Sequence, residues 1–472
     1  MLRYLCKLLA ISITTISLFT TSAAADEIDP NQMKLLEVFH LLKEYHISGT
    51  DGNTITEAAI DGMIASLDDP YTDYFSDQEF ENYVNSMEGH YSGVGMVVGD
   101  DQGQLKVYEV YEGSPAKEAG IQVGDILVKV GELSAKDQPF ETVMSHVIGE
   151  EGTPVTLTFL RNGNEFTVTI TRKTLNAPQV FAEFLPEKIG YLYLATFTEG
   201  AIEEFNKALQ TFTKQGAKGI ILDLRDNPGG LFTVAEHVAG TFIDKGTLVI
   251  VKDGEGKEFN IPILETTAKL RLPLAVLVNE NSASSSEIVA AALQDHRRAT
   301  IIGTRTYGKG TIQELIPLQS NGYLKLTIEE YYTPLHKPMN HIGVTPDILV
   351  GEEIEQLQAA SYVLLNNNKI TLKEKGEVWV NDQPEVGPSK AAILRDDQWY
   401  LSMRKLAYLF HGKVGFNPQE KKITLQLGDH VQSFSTREVR MEQGTAYLHL
   451  DQLLQRYPQL TWNVEKSELT LQ

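Results

Sequence analysis

Residues 274–293, LAVLVNENSASSSEIVAAAL, form the pattern of one strand, one turn and one helix. The segment LAVLV is uniformly apolar, which is typical of a strand buried on both faces of a parallel sheet. Serines crowd the turn, and the apolar run from Ile288 predicts a helix that begins among them, since a hydroxyl is a favoured helix cap. Such a turn follows the carboxyl end of a strand, where α/β folds place their reactive side chains.

The flanking sequence repeats this alternation of strand and helix between residues 174 and 350. Apolar runs predict strands at 189–195, 219–224 and 299–303 and helices at 202–216 and 234–242. We therefore predict an α/β core over 174–350 with at least some parallel pairing, and catalytic loops at the carboxyl ends of its strands.

Residues 89–173 alternate short apolar strands with glycine turns. A hairpin is predicted over 155–160 and 165–171 around Asn162-Gly163, with an amphipathic helix at 140–147. The pieces Gly-Ser-Pro-Ala, Ala-Gly and Gly-Asp-Ile occur in that order before the helix, and the segment resembles a PDZ domain. The alternative is a small β-domain with glycine turns.

The resemblance to PDZ domains implies a peptide-binding site. Such domains add an extended peptide to a sheet edge and hold its terminal carboxylate with backbone amides. We place this contact at Ser92, Gly93, Val94 and Gly95, because two glycines suit a nest of amides.

The amino terminus has the features of a secretory signal. A positive start, an apolar run at 8–19 and small residues up to Ala25 predict export, with residues 1–25 as a cleaved signal peptide. The alternative is an uncleaved anchor. Cys6, the only cysteine, lies inside this segment, so the mature chain is predicted to lack disulfide and thiol chemistry. Residues 26–88 are predicted to be helical, as core or as a dimer contact.

Residues 371–472 contain an internal repeat. WYLSM at 399–403 matches AYLHL at 446–450, an offset of 47 residues (446 minus 399), and each unit predicts a strand, a helix and a two-strand hairpin. The unit is similar to the repeat at the amino end of copper amine oxidases. It carries no clustered titratable groups, which favours packing or binding, including contact with a cell wall, over chemistry.

Length and charge bound the class of protein. The 472 residues are enough for roughly two to four domains, each with its own core. We predict a multidomain α+β and α/β fold: a helical amino-terminal region, a PDZ β-domain, an α/β core, a linker helix at 351–370 and a small α+β repeat domain. The net charge of −22 argues against nucleic acid as a partner, and no Cys/His cluster has zinc spacing, so neither metal nor cofactor is expected.

Ser284 and Lys309 are the candidate nucleophile and base. A free hydroxyl is a weak nucleophile and needs an activating base. Lysine can act as that base only when neutral, which requires burial to lower its pKa from about 10.4. Gly308 and Gly310 allow close backbone approach around Lys309, and Gln313 offers an uncharged hydrogen-bond partner for the amine.

Other interpretations of these residues remain. Lys309 would be a surface lysine in a glycine turn, and Gln313 an ordinary helix or strand residue. By composition, any serine of the turn would serve as the nucleophile. The histidines considered as bases lack the carboxylate spacing of a Ser-His-Asp arrangement; they are His237, His296, His336 and His341.

An oxyanion hole requires backbone amides aimed at the developing charge. The amide of Ser285, at the helix start, is one expected donor. Gly230, or alternatively Gly229, is the expected second donor, from the RDNPGG turn at 225–230. The alternative is a turn that is needed only for steric reasons.

The chain resembles the carboxy-terminal processing (tail-specific) proteases from about residue 30 to 350. The motif NSASSSE at 281–287, a lysine 25 residues after its middle serine (309 minus 284) and a glutamine four residues later all match. The resemblance implies Ser284 as nucleophile, Lys309 as base, Gln313 as their third member, and a homodimer. Ser285 departs from the alanine that is common in the family, and Ile148 stands where many members carry an arginine.

These features predict an exported serine endopeptidase that cleaves proteins near apolar carboxyl-terminal tails captured by the PDZ domain. One alternative is a catalytically silent PDZ scaffold that binds tails. The other is a cell-wall-associated binding protein, which rests on the 371–472 repeat alone.

Overall fold

A computed structural model describes residues 29–87, 90–101, 103–136, 138–176, 179–266, 269–365, 368–373, 376–385 and 390–471. The expected signal peptide lies outside the described residues. The chain divides into two compact units: the first runs to Gln179 and includes Gln313–Thr327, and the second comprises Val180–Ile312 and Ile328–Gln472. None of the helices in the described ranges is long and apolar enough to cross a membrane.

The amino-terminal region of the first unit is helical, as the sequence predicts. A reciprocal cap starts its last helix: the Ser76 amide donates to Glu79 Oε2 at 2.9 Å, and the Glu79 amide donates to Ser76 Oγ at 3.3 Å. The apolar stripe of the first helix, from Met33 to Leu42, is exposed within the described residues. The elements are α1 Pro30–Tyr45, α2 Gly52–Ala65, β1 Asp73–Phe75 and α3 Asp77–Met87.

The PDZ-like region forms an antiparallel sheet in the order β3-β4-β5-β7-β8, so that β3 is an edge strand. Asn162 and Gly163 turn between β7 and β8 with φ of 51° and 81°, the left-handed geometry that a two-residue hairpin loop requires. The elements are β2 His90–Gly93, β3 Met96–Asp101, β4 Gln104–Val110, α4 Pro115–Glu118, β5 Ile126–Val130, β6 Leu133–Ser134, α5 Phe140–Val147, β7 Pro154–Arg161, β8 Asn164–Thr171 and β9 Lys173–Asn176.

The second unit is built on a sheet in the order β10-β11-β12-β15-β16-β19, parallel from β11 onward. The strands of this part of the chain are β10 Val180–Leu185, β11 Ile189–Leu194, β12 Gly219–Asp223, β13 Thr247–Asp253, β14 Glu258–Pro262, β15 Leu274–Val278, β16 Thr300–Gly303, β17 Thr311–Pro317, β18 Tyr323–Tyr332 and β19 Ile348–Leu349. Most of β17, from Gln313, and the first half of β18, to Thr327, belong to the first unit. The helices of this part of the chain are α6 Glu199–Lys214, α7 Phe232–Phe242, α8 Ser285–Asp295 and α9 Glu353–Leu364. The start of β18 pairs with β1 in the first unit, and its end pairs with β13 in the second.

Both faces of this sheet are covered. Side chains alternate along β12, so Ile220 and Leu222 enter one core with α6, α7 and α8, while Ile221 enters a second core with α9. Burial on both faces explains why the strands are uniformly apolar, since each such side chain contributes about 1.5–3 kcal/mol.

The helix α9 corrects the predicted linker helix at 351–370. It is shorter, because Leu365 is already extended and a strand begins at Lys369. It is also not a connecting segment: Ala359, Ala360 and Leu364 are buried against the sheet.

The carboxyl-terminal module consists of residues 369–471 and has its own core. Each repeat contains the predicted strand, short helix and two-strand hairpin. A further strand, which the sequence analysis did not predict, precedes the first strand of each repeat and forms a hairpin with it. The elements are β20 Lys369–Leu372, β21 Val378–Val380, β22 Gln383–Pro384, β23 Ala392–Arg395, β24 Gln398–Ser402, α10 Met403–Leu409, β25 Lys413–Asn417, β26 Lys422–Leu427, β27 His430–Ser435, β28 Arg440–Glu442, β29 Thr445–His449, α11 Leu450–Arg456, β30 Leu460–Asn463 and β31 Glu468–Leu471.

A local two-fold axis relates the two repeats of the module. β24 and β29 pair antiparallel with Leu401 opposite Leu448, which are equivalent positions of the repeat. Ser402 caps α10, and its equivalent His449 caps α11. The two repeats thus bury their apolar faces against each other, which neither could do alone.

Candidate active site

Three loops leave the carboxyl ends of three adjacent parallel strands, β12, β15 and β16. They carry the RDNPGG turn at 225–230, the serine turn before α8 and the loop with Lys309. Sheet order places them together although they are far apart in sequence, as expected for the carboxyl edge of an α/β sheet.

Ser284 has a strained backbone, with φ of 54° and ψ of −115° at the start of α8. A non-glycine residue in such a conformation costs about 1–3 kcal/mol and persists only where its surroundings hold it. The surroundings are the other serines: Ser282 Oγ donates to Leu224 O at 2.7 Å, and Ser286 Oγ donates to Asn227 O at 2.9 Å.

The same contacts separate the serines of the turn by role. The hydroxyls of Ser282 and Ser286 are used to fasten the turn to residues 224–227, and Ser285 Oγ donates to Gly230 O at 2.8 Å. Ser284 Oγ makes none of these contacts with the 224–230 segment, which favours Ser284 as the nucleophile.

The carboxylate of Glu287 joins the serine turn to the lysine loop. Its Oε2 accepts from the amides of Ser284 at 3.0 Å and Lys309 at 2.9 Å. Its Oε1 accepts from the amide of Gly308 at 2.7 Å and from Thr306 Oγ1 at 2.5 Å. One buried carboxylate therefore fixes the backbones of Ser284 and Lys309 at once.

Sequence reasoning did not identify Glu287 as a site residue. Its signal was its place three residues after Ser284, where a carboxylate accepts from the helix cap. The side chain is completely buried. Burial raises the pKa of Glu287, and the hydrogen bonds from Thr306, Gly308, Ser284 and Lys309 oppose that shift.

Lys309 is half-buried between two glycines that the structure requires. A Cβ on Gly310 would lie 2.2 Å from Asn340 N, and a Cβ on Gly308 would lie 2.9 Å from Ile342 N. Tyr331 donates its hydroxyl hydrogen to Lys309 O. The lysine backbone is thus held from two sides, by the segment 339–343 and by β18.

The turn at 225–230 lies against Ser284. A Cβ on Gly229 would be 2.9 Å from Ser284 Cβ, so only glycine allows this approach. The amide of Gly229 donates to Asn227 Oδ1 at 2.9 Å, whereas the bridge to Phe197 uses Gly229 O and Leu231 N. The amide of Gly230 takes no part in that bridge, which favours Gly230 over Gly229 as the second oxyanion donor beside Ser285.

Gln313 belongs to the first unit and lies on β17. Its Nε2 donates to Thr327 Oγ1 at 3.2 Å, and the Thr327 amide donates to Thr72 Oγ1 at 3.1 Å. Thr72 in turn donates to Asp69 Oδ2 at 2.5 Å. The turn at 69–72 thus supports the strand that carries Gln313, while its expected contact with Lys309 stays a prediction.

Arg225, the first residue of the 225–230 turn, is fixed by a carboxylate. Its Nε lies 2.9 Å from Asp223 Oδ1, and Tyr191 donates its hydroxyl to Asp223 Oδ2 at 2.8 Å. Burial and the adjacent Asp223 raise the pKa of Tyr191. The sequence shows the RDNPGG motif, but it does not show that Arg225 pairs with Asp223.

Of the PDZ candidates, Ser92 and Gly93 end β2, and Val94 and Gly95 lie between β2 and β3. The carbonyls of Ser92, Val94 and Gly95 accept from the amides of Gly149, Ala116 and Tyr111, so they face into the domain. The Ser92 hydroxyl is buried and makes no hydrogen bond with the described residues.

Arg172 lies beside Ile148, at the carboxyl end of α5. Its guanidinium donates to His146 O at 2.8 Å, Val147 O at 2.9 Å and Thr153 Oγ1 at 2.9 Å. A Cβ on Gly149 would lie 2.8 Å from Arg172 Cζ. An arginine from the end of β8 therefore closes the carboxyl end of α5, a site that favours a cation.

Three family models match the chain. Peptidase family S41 matches residues 188–350, the PDZ domain matches 91–171, and the activating protease CtpB N-terminal domain matches 12–79. A carboxy-terminal-processing protease of Bartonella bacilliformis is 33% identical over 402 residues, which cover 82% of this chain and 90% of that protein. The chain belongs to the carboxy-terminal processing proteases of peptidase family S41.

The chain is also similar to two further proteins. The carboxy-terminal processing protease CtpA of Bacillus subtilis is 32% identical over 316 residues, or 67% of this chain and 68% of that protein. The solved photosystem II D1 C-terminal processing protease covers 71% of this chain and 97% of its own, with 28% identity and a TM-score of 0.44.

Family membership makes the second unit a serine-type peptidase core, and the S41 match spans all three loops of the candidate site. The matched models end at residue 350, so the likeness of the carboxyl-terminal module to copper amine oxidases stays a prediction. Among the described residues, no group of three or more His, Cys, Asp or Glu side chains could hold a metal ion.

The histidines have other partners. His237 Nε2 lies 3.2 Å from Asn206 Oδ1, and His296 Nε2 lies 2.8 Å from Thr247 O. His336 has a carboxylate that the sequence did not reveal, Glu258 at 3.0 Å, but both side chains are exposed. The pair is therefore a surface ion pair rather than part of a buried catalytic group.

Proposed function

We propose that this protein is an exported serine endopeptidase in which Ser284 and Lys309 form a catalytic dyad. The observation that carries the proposal is the Glu287 carboxylate, which accepts from the amides of both residues. A nucleophile and a base need fixed relative positions, and a shared buried anchor supports that.

In the proposed mechanism, Lys309 Nζ removes the proton from Ser284 Oγ, which attacks the scissile carbonyl carbon. The amides of Gly230 and Ser285 stabilise the oxyanion, and the lysine proton passes to the leaving amine. Neutral Lys309 then takes a proton from water, whose oxygen attacks the acyl ester and releases a free carboxylate and Ser284. Gln313 orients the lysine amine in this proposal.

The substrates we propose are proteins whose apolar carboxyl-terminal tails bind the PDZ domain. The edge strand β3 is open for a further strand, and the carbonyls of the 92–95 segment point into the domain. Amides at this segment would hold the terminal carboxylate, and the buried Ser92 hydroxyl offers one more donor. The similarity to carboxy-terminal processing proteases supports cleavage near carboxyl ends, and the signal-like residues 1–25 support export.

The test compares Ser284→Ala, Lys309→Ala and Lys309→Arg on a peptide with an apolar carboxyl-terminal tail. Each is expected to lower kcat by about 10³-fold or more. Ser284→Ala removes the nucleophile, Lys309→Ala removes the base, and the arginine of Lys309→Arg stays protonated and cannot serve as a base. Arg305→Ala is the matched control, since this exposed cation lies in the same loop. Tail binding by the wild type without turnover would support the silent scaffold instead.

A further inference from the structure

Helix α9 lies between the peptidase sheet and the carboxyl-terminal module. Its Ala359, Ala360 and Leu364 pack on the sheet side chains of one core, and Tyr408 of the module's helix α10 is buried in the same core. The module therefore shares a hydrophobic core with the peptidase sheet and is not a loosely attached appendage.

A buried polar cluster strengthens this joint. Lys405 of α10 is 1% exposed, and its Nζ donates to Gln358 Oε1 of α9 at 3.2 Å. The same Nζ lies 3.3 Å from Glu385 Oε1, which is also 1% exposed. Buried charges are costly unless paired, so this cluster favours one relative position of α9 and the module.

The side of α9 opposite Gln358 contacts the candidate active site. Gln356 is 1% exposed, and its Nε2 donates to Val350 O at 2.9 Å. Its Oε1 accepts from Arg225 Nη1 at 3.2 Å, and the same Nη1 lies 3.3 Å from Glu353 O. Arg225 is the first residue of the turn that carries Gly229 and Gly230.

We propose that the carboxyl-terminal module positions the oxyanion turn, acting through Gln356 of α9 on Arg225. The module holds α9, Gln356 fixes the guanidinium, and the guanidinium fixes the start of the turn whose Gly230 amide is the proposed oxyanion donor. Gln356 is a positioning residue and does not touch substrate. This inference rests on the proposed peptidase function.

The first test is Gln356→Met, with Gln356→Glu as the conservative variant, measured on the full chain with a tail-bearing peptide. Displacing one oxyanion donor acts on the transition state, so kcat is expected to fall about 10-fold for Gln356→Met with KM within about two-fold. Gln356→Glu keeps an acceptor for Arg225 and is expected to recover most of kcat. A wild-type kcat in Gln356→Met overturns the proposal.

The second test separates positioning from stability. Tyr408→Ala opens a cavity at the joint, and Phe434→Ala opens a cavity in the core that belongs to the module alone. Both are expected to lower Tm, but Tyr408→Ala alone is expected to lower kcat at a temperature where both are folded. Equal kcat values in the two variants overturn the proposal.

If the wild-type protein shows no turnover, or turnover that Ser284→Ala does not abolish, this inference and the proposed function are both overturned. Turnover abolished by Ser284→Ala, with kcat unchanged in Gln356→Met and Tyr408→Ala, overturns this inference alone.

Discussion

At the scale of single residues, the candidate site depends on conformations that cost free energy. Ser284 has positive φ, and Gly229 approaches it so closely that a Cβ would be 2.9 Å from Ser284 Cβ. Hydrogen bonds from Ser282 and Ser286 to the 224–227 segment offset the cost. The strained residue thus lies in a turn whose neighbouring hydroxyls are used for structure.

We expect Ser284→Gly to be more stable than Ser284→Ala by about 1 kcal/mol, or about 2 °C in Tm, because glycine tolerates positive φ. Thermal unfolding of the two inactive variants measures this difference. The matched pair is Ser286→Gly and Ser286→Ala: Ser286 lies within α8, where glycine is expected to be the less stable by about 1 kcal/mol. If the glycine variant is the more stable one at both positions, or the less stable one at both, the result contradicts backbone strain at Ser284.

At the scale of elements, local patterns predicted helices and hairpins well, and their ends depend on side-chain caps. Side-chain contacts that join the end of a strand to a distant turn could not be predicted from the sequence. Arg161, at the end of β7, reaches back to Asp125 before β5, with Nε 2.6 Å from Oδ1. It also donates to Gly120 O at 2.8 Å, so one guanidinium ties two turns of the PDZ-like sheet.

This pair predicts acid sensitivity of the PDZ-like sheet. Burial alone would raise the pKa of Asp125, but hydrogen bonds from Arg161 and Gln122 outweigh it and lower the pKa. A folded-state pKa below the unfolded value gives stability that is present above about pH 4 and lost as pH falls through the folded pKa.

We expect hydrogen-exchange protection of β5 and β7 to fall between pH 6 and pH 3, and to fall less in Asp125→Asn. Asp101→Asn is the control, because its pair with Lys106 is well exposed and contributes little. If protection in Asp125→Asn falls as much at low pH as in the wild type, the acid sensitivity does not come from the Asp125–Arg161 pair.

At the scale of the second unit, a buried ion pair inside the carboxyl-terminal module lies against α9, because Lys405 Nζ also donates to Gln358 Oε1. Lys405 and Glu385 are each 1% exposed, and burial raises the pKa of Glu385. The Ala391 amide donates to Glu385 Oε2 at 2.6 Å, so this carboxylate also holds the start of the hairpin before α10.

Lys405→Met leaves Glu385 buried without a countercharge and is expected to cost about 3–5 kcal/mol. The double variant with Glu385→Gln is expected to recover most of this loss, because the amide oxygen still accepts from Ala391. Urea unfolding measures both. Lys422→Met, at a pair with Glu420 in which both side chains are exposed, is the control and should cost less than about 1 kcal/mol. If the double variant is as unstable as Lys405→Met, the loss does not come from the unpaired Glu385 carboxylate, and the proposed pairing of Lys405 with Glu385 is disproved.

The sequence by itself determined the elements, the repeat and the serine, lysine and glycine candidates, because strand burial, helix caps and positive-φ glycines leave marks within a few residues. The tertiary structure decided which of these residues meet. Glu287 reaches the Lys309 amide, and Gln356 reaches Arg225, only because sheet order brings distant loops and α9 to one edge. Such contacts depend on strand order and packing, which no local pattern of residues encodes.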